Sequence, residues 1–371
     1  MDKKSFSICY SDDSNPKLAI QEISMQMENS APALIMFFSS IQNFAFYTEE
    51  LTKLYPNTEI IGTTTYVALS SKGASKTALT AIALFDGIEC AGGIITDVRR
   101  FPQKHTPIIR ESLSKISDTN NCCCIEFTTA FDACEEIIQD TFRSVLEEYN
   151  IAVVGGSAGN AGDSTESYVA YNGTVYSEAC VFVIVKNLLG AIHLFCENIY
   201  KPTDQFFYAT DVDCEERKVY EFDGKPATKV LAKALNVSEE ELPSVLPFHP
   251  LGRMTDGNIY ITDFNQITED GAMSFFARIY NRTKMALMVA DDVQSVLSNT
   301  IQKIHDETKT IRFMLVVNCL SRSKRFESEG VFELFTDRLR DELGEYVGFS
   351  GYGEQINYEH LNKTMLIAIF E

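Results

Sequence analysis

Apolar and polar positions along this chain follow a pattern that repeats. The run Ala33-Leu-Ile-Met-Phe-Phe38 predicts a buried strand, and Phe44, Tyr47, Leu51 and Leu54 follow at a spacing of about 3.6, the signature of an amphipathic helix. A second apolar run closes on a glycine, Glu59-Ile-Ile-Gly62, and Ala78 to Phe85 supplies another strand after a polar stretch. The series returns with Cys122 to Phe127, a helix carrying Ile138, Phe142, Val145 and Tyr149, the run Ile151 to Gly155, and Ala179 to Val185. Asp132, with Glu135 three residues later, predicts the N-cap of that helix. A third copy reads Arg312 to Cys319, a helix with Phe332, Phe335, Leu339 and Leu343, the run Tyr346-Val-Gly348, and Thr364 to Phe370. Leading helices are predicted at about 16 to 28, 107 to 118 and 291 to 306.

From opening strand to glycine the intervals are 29 (33 to 62), 33 (122 to 155) and 36 (312 to 348) residues, close enough to mark one repeated unit. Strands alternating with amphipathic helices predict an α/β fold, mixed with α+β character, in which helices cover largely buried sheets. Between the second and third copies the runs shorten and alternate, as in Gln205-Phe-Phe-Tyr, and Asp223-Gly224, Asp256-Gly257 and Asp270-Gly271 mark turns. A helix is expected within this β-rich segment near Ala227 to Leu235. The expected organisation is therefore a half over 1–190 with two copies, then a half over 191–371, β-rich to 290 and closed by the third copy over 291–371.

Composition narrows the partners. With 52 acidic against 32 basic residues the formal charge is -20, a surface that repels nucleic acid and anionic lipid. No run reaches the length of a membrane span, and the first residues lack the apolar core of a signal peptide, so a cytoplasmic protein is expected. The ten cysteines show no CxxC spacing, and Cys122, Cys123 and Cys124, adjacent on a strand, point to alternating faces and cannot share one metal ion. They read as small hydrophobes in a reducing compartment.

Five short stretches, in order, resemble the motifs of FIST proteins. They are Ile60-Ile-Gly62-Thr-Thr, Val153-Val-Gly155-Gly-Ser157-Ala-Gly159, Tyr220-Glu-Phe-Asp223-Gly224-Lys-Pro226, Cys319-Leu-Ser-Arg322 and Gly348-Phe-Ser-Gly351-Tyr-Gly353-Glu354. The resemblance covers nearly the whole chain, a FIST N part at about 30 to 190 and a FIST C part at about 195 to 350. It implies a bacterial, cytoplasmic signal-input domain that binds a small ligand such as an amino acid. Such domains serve histidine kinases, chemoreceptors or cyclic-dinucleotide enzymes, and some relatives bind haem and sense nitric oxide. The family's closing His-Asn-Gln-Thr is here Leu361-Asn362-Lys363-Thr364, with the histidine at His360.

The glycines end strands, and in open α/β sheets that edge is where ligands bind. A ligand site is therefore expected from Gly62, Thr63 and Thr64 of the first copy and Gly155, Gly156, Ser157 and Asn160 of the second. The third copy contributes Arg322, Tyr352 and Glu354. Arg322 is either a fork for a ligand carboxylate or one half of a structural ion pair, for which Glu354 is a candidate partner. Lys324 and Arg325 read as residues of a solvated loop. Gly155 to Gly159 also satisfies G-x-S-x-G, so a serine hydrolase using Ser157 is the rival reading; it requires a helix over 160 to 172. No basic residue lies between Gly155 and Lys186, which disfavours phosphate and favours a neutral or zwitterionic ligand. The five histidines are scattered, so no metal site is expected. His249, between Phe248 and Pro250, is either an ordinary loop histidine or a single axial ligand for haem. No catalysis and no obligatory cofactor are expected.

Overall fold

Three mixed sheets of six strands each express the repeat, in a computed structural model that describes residues 5–27, 31–97, 102–162, 166–255 and 257–371. Each copy contributes an opening strand (Leu34–Ser39, Cys122–Thr128, Phe313–Cys319) and, after a helical segment, a parallel glycine strand (Glu59–Thr64, Ala152–Ser157, Tyr346–Gly351). The closing strands Leu79–Leu84, Ala179–Asn187 and Thr364–Phe370 lie antiparallel on the other side of the opening strands. The leading helices are Pro16–Gln26, Thr106–Ser114 and Val293–Glu307; residue 28 of the expected first helix lies outside the described residues.

A short strand follows each glycine strand and leaves its own sheet. Ala68–Ser70 of the first copy pairs with the glycine strand of the third, Val169–Tyr171 of the second with that of the first, and Gly353–Ile356 of the third with that of the second. The exchange is cyclic, so no sheet is built from one copy alone.

Side-chain alternation sorts each opening strand into two faces. Phe37 turns toward the helices Pro16–Gln26 and Phe44–Leu54 and joins the core with Ile20, Ile23, Tyr47 and Leu51. Its neighbour Phe38 turns the other way and meets Phe127 and Phe349, with ring centroids 5.2 to 5.4 Å apart in all three pairs. One aromatic from each copy thus closes a triangle on the inner faces of the three sheets, all three rings fully buried.

The chain divides into two compact units: Met1–Cys196 with Thr300–Glu359 and Met365–Glu371, and Glu197–Asn299 with His360–Thr364. The second unit is built on an antiparallel sheet whose central strands are Tyr200–Asp213, Lys218–Phe222, Leu251–Thr255 and Lys284–Ala290. Helix Ala227–Leu235 lies where the sequence places it, burying Ala227, Leu231 and Ala232 against Phe207, Val219 and Phe222. Asp223 and Gly224 both take positive φ, and Phe222 pairs with Lys225, the two-residue hairpin expected of Asp-Gly. Gly257 and Gly271 also have positive φ; Asp256, the other half of one predicted turn, lies outside the described residues.

Two local expectations are corrected. Helix Glu135–Leu146 starts three residues after Asp132, with Cys134 as an N-cap whose side chain makes no capping hydrogen bond. Asp132 instead accepts from the Thr129 hydroxyl at 2.9 Å, and Phe131 and Ala133 on either side of it take left-handed φ, which delays the first helical turn. In the third copy, helix Leu320–Glu329 follows its strand without a loop. Lys324 and Arg325 are therefore on a helix, where Arg325 pairs with Glu329 one turn on at 2.7 Å.

Candidate functional site

The glycines are where they are for want of space. A Cβ on Gly155 would stand 1.9 Å from the Glu126 carbonyl oxygen, and one on Gly348 would stand 1.8 Å from that of Val316. Gly62 meets the ring of Phe37 in the same register position. Close approach of the parallel opening strand thus excludes any side chain at these positions.

Four residues beyond each of these glycines, a main-chain N–H crosses to the next copy. Tyr66 donates to Ser350 O at 2.9 Å, Gly159 to Thr64 O at 2.8 Å, and Tyr352 to Ser157 O at 3.1 Å. The three strand ends are therefore joined in a closed ring of equivalent hydrogen bonds. The ring lies at the end of the strands where the sequence places a ligand, and it includes Thr64, Ser157 and Tyr352 from the expected set.

Side chains of opposite sign are attached to it. Arg322 is buried; its Nε donates to Asn318 Oδ1 at 3.0 Å, and its guanidinium lies 5.2 Å from the Phe326 ring centroid. Asn318 Nδ2 donates to Ser323 Oγ at 2.8 Å, and Ser323 and Ser350 share a hydroxyl bond at 2.6 Å, which brings the arginine's network onto the ring. On the second copy, Ser157 Oγ donates to Glu135 Oε1 at 3.5 Å and accepts from Gln355 Nε2 at 3.1 Å. Glu126 lies on the same sheet as Ser157, fully buried, and accepts from Thr128 Oγ1 (3.0 Å), Gln139 Nε2 (3.3 Å) and Cys180 Sγ (3.3 Å). Burial pushes the Glu126 carboxyl up to about 8; the Cys180, Thr128 and Gln139 donors oppose the rise and the neighbouring Glu135 adds to it.

The remaining expected residues sit around this core. Thr63 and Glu354 are buried, and Glu354 pairs in register with Gly156. Gly156 faces Val317 and the Phe349 ring, so it belongs to the packing around the aromatic triangle. Asn160 organises its own loop, donating to Glu166 O at 3.1 Å and accepting from Gly162 N at 2.9 Å. Tyr352, half-buried, stands edge-on to Phe131 at 4.5 Å, and Phe131 is 46% exposed. This pair is the solvent-facing part of the set.

Sequence reasoning missed Glu126, Glu135, Gln139, Asn318, Ser323 and Gln355. The available signal was Glu126 itself. A carboxylate inside the run Cys122 to Phe127 occupies the register position held by Phe37 and Val316 in the other copies. The repeat is thus broken by a buried acid in one copy only, and departures from local rules gather at functional sites.

Two alternatives meet specific geometry. Among the described residues of 160–172 none is helical and Val169–Tyr171 is a strand, where a nucleophile elbow requires a helix. Ser157 is 1% exposed, and its hydroxyl is engaged by a carboxylate and an amide. His249 ends the turn Leu246–Phe248, and its Nδ1 is buried with no hydrogen-bond partner among the described residues. Metal-bound imidazoles usually hold their second ring nitrogen by a hydrogen bond, and His249 shows none at Nδ1. His360 and the segment after it are tied inside the second unit: Lys363 pairs with Asp263 at 2.9 Å and Asn362 accepts from Asp263 N at 3.1 Å. No described helix is long and apolar enough to cross a membrane.

Residues 33–225 match the model of the FIST N domain and residues 227–357 that of the FIST C domain. An uncharacterised protein of Methanocaldococcus jannaschii is 26% identical over 309 residues, which cover 74% of this chain and 58% of the relative. The chain thus spans a little over half the length of that relative.

Proposed function

Since the chain belongs to the FIST family, a sensory and ligand-binding family implicated in signal transduction, we propose that it is a cytoplasmic, non-catalytic receptor for a small zwitterionic metabolite such as an amino acid. The ring of strand ends carries this reading. Tyr66, Gly159 and Tyr352 tie the three copies at one place, and Arg322 on one side and Glu135 on the other are linked to it through Ser350 and Ser157. A carboxylate suits the arginine fork and an ammonium suits the acid, whereas a simple anion would meet Glu135 unfavourably.

A ligand seated over the ring would favour one arrangement of the exchanged strands over another, by no more than its difference in affinity for the two. A separate kinase, chemoreceptor or cyclic-dinucleotide enzyme would read that shift. A thermal-shift screen of amino acids, organic acids and haem tests the reading. A zwitterion is expected to raise the melting temperature, with the effect lost in Arg322→Ala and weakened in Arg322→Lys, since lysine cannot form the fork. Stabilisation undiminished in Arg322→Ala would remove the clamp, and haem as sole hit would select a gas sensor. Labelling of the folded protein at Ser157 by a fluorophosphonate would overturn the non-catalytic reading.

A further inference from the structure

The second unit holds a cavity of about 530 Å³ lined by Gln205, Phe206, Phe207, Asp223, Val230 and Ala234 together with Lys225, Lys229 and Lys233. Its walls have separate origins. Strand Tyr200–Asp213 breaks register between Pro202 and Phe206, where it pairs with Lys284–Ala290, and this bulge re-aims Gln205 and Phe206. The Asp223-Gly224 turn brings in Lys225, and helix Ala227–Leu235 presents Lys229 and Lys233 one turn apart on one face.

Three lysines share this lining with a single carboxylate, Asp223. Several ammonium groups elsewhere are paired, as in Lys53 with Glu49 and Glu50, Lys115 with Glu111, and Lys201 with Asp291. In a chain of formal charge -20, Lys225, Lys229 and Lys233 converge without an ion pair among the described residues. Like charges one helical turn apart oppose helix formation, so Lys229 and Lys233 destabilise the free helix, and a bound anion would relieve them. Phe206 is 40% exposed, and Lys284 lies over its ring at 4.4 Å. Phe207, Val230 and Ala234 add apolar surface to the lining.

We propose that this cavity binds a flat aromatic anion bearing at least two negative charges. The size is that of a small-molecule site, in the range of about 300–1,000 Å³. The ammonium groups supply charge-assisted hydrogen bonds to the anionic end, and the phenylalanine wall takes the ring. Because the chain as a whole is acidic, such an anion is repelled from the rest of the surface, which concentrates binding here.

The test uses the full chain and the fluorescent probe 8-hydroxypyrene-1,3,6-trisulfonate, followed by polarisation at low ionic strength. Saturable binding with one site per chain is expected. Lys229→Glu combined with Lys233→Glu should weaken it at least about tenfold, the loss of one or more charge-assisted bonds. These side chains are exposed, so circular dichroism should stay unchanged and melting should shift only slightly, and Lys229→Ala with Lys233→Ala serves as the gentler variant. Phe206→Ala should weaken binding several-fold and leave its salt dependence in place. A nucleoside diphosphate should displace the probe at lower concentration than pyrophosphate or the free nucleoside. Binding that does not saturate, or that survives both lysine variants, overturns the site; pyrophosphate competing as well as the aromatic anion overturns its aromatic half.

Discussion

Glu126→Gln removes one ionisable group and keeps a side chain of the same shape among Thr128, Gln139 and Cys180. In the folded protein the carboxyl binds its proton up to about pH 8, against a usual value of 4.5 in the unfolded chain. Between those limits the native state holds a proton that the unfolded state has released, so stability falls as pH rises through the interval and levels off above about pH 8. An interval of about 3.5 pH units, at about 1.4 kcal/mol each, amounts to about 5 kcal/mol. The amide that replaces the carboxyl has no proton to lose and is exempt from this decline. Wild type and variant should therefore agree within about 1 kcal/mol near pH 5, whereas near pH 8 the variant should be the more stable by several kcal/mol. Guanidinium unfolding followed by circular dichroism at half-unit pH steps reads the difference, with the two compact units fitted as separate transitions where they resolve. Other groups, such as His105, whose basicity burial lowers, titrate in both proteins and cancel in the comparison. Parallel pH profiles for the two proteins would refute the reasoning, since they would mean that Glu126 is ionised or solvated in the native state.

The close approach at Gly155 predicts that Gly155→Ala, which sets a Cβ 1.9 Å from a carbonyl oxygen, costs about 3 kcal/mol or more. Gly224→Ala, with φ of 71° and nothing near, should cost only about 1 kcal/mol; equal losses in denaturant midpoint would sink the steric account. Phe349→Ala opens the aromatic triangle and should cost about 3–5 kcal/mol, with Phe349→Leu recovering part of it. A loss below about 1 kcal/mol would show the rings to be replaceable packing. In the second unit, Lys363→Met strands Asp263 in a site where burial already raises its carboxyl against the pull of Lys363, a loss of about 3–5 kcal/mol. Adding Asp263→Asn should restore much of the stability, and failure of that rescue would assign the loss to Lys363's bond to Pro247 O instead.

Much of the chain was legible because its elements are long enough to show a period. The mostly apolar run Cys122 to Phe127, or Phe44, Tyr47 and Leu51 on one face, declares strand or helix whatever it later touches. The spacing of Gly62, Gly155 and Gly348 declared that three such units exist. Helix Leu320–Glu329 was not legible, since its composition is polar and charged and, beyond its first residue, only Arg322, Ser323 and Phe326 are buried. The N-cap of helix Glu135–Leu146 was misread because a short polar side chain such as Asp132 caps a helix or braces a loop equally well.

The sequence by itself determined the repeat, the class of each long element, the glycine positions and the acidic surface. Those follow from local periodicity, sterics and composition, which need no partner to be read. Tertiary structure decided which sheet each short strand joins, for Ala68–Ser70 and Val169–Tyr171 are three residues long and carry no pattern that names a partner. It also decided that Phe38, Phe127 and Phe349 meet, that three strand ends close a ring, and that burial raises the Glu126 carboxyl. Register, long-range hydrogen bonding and burial are properties of residues brought together from distant parts of the chain, and none of them exists before the copies exchange strands.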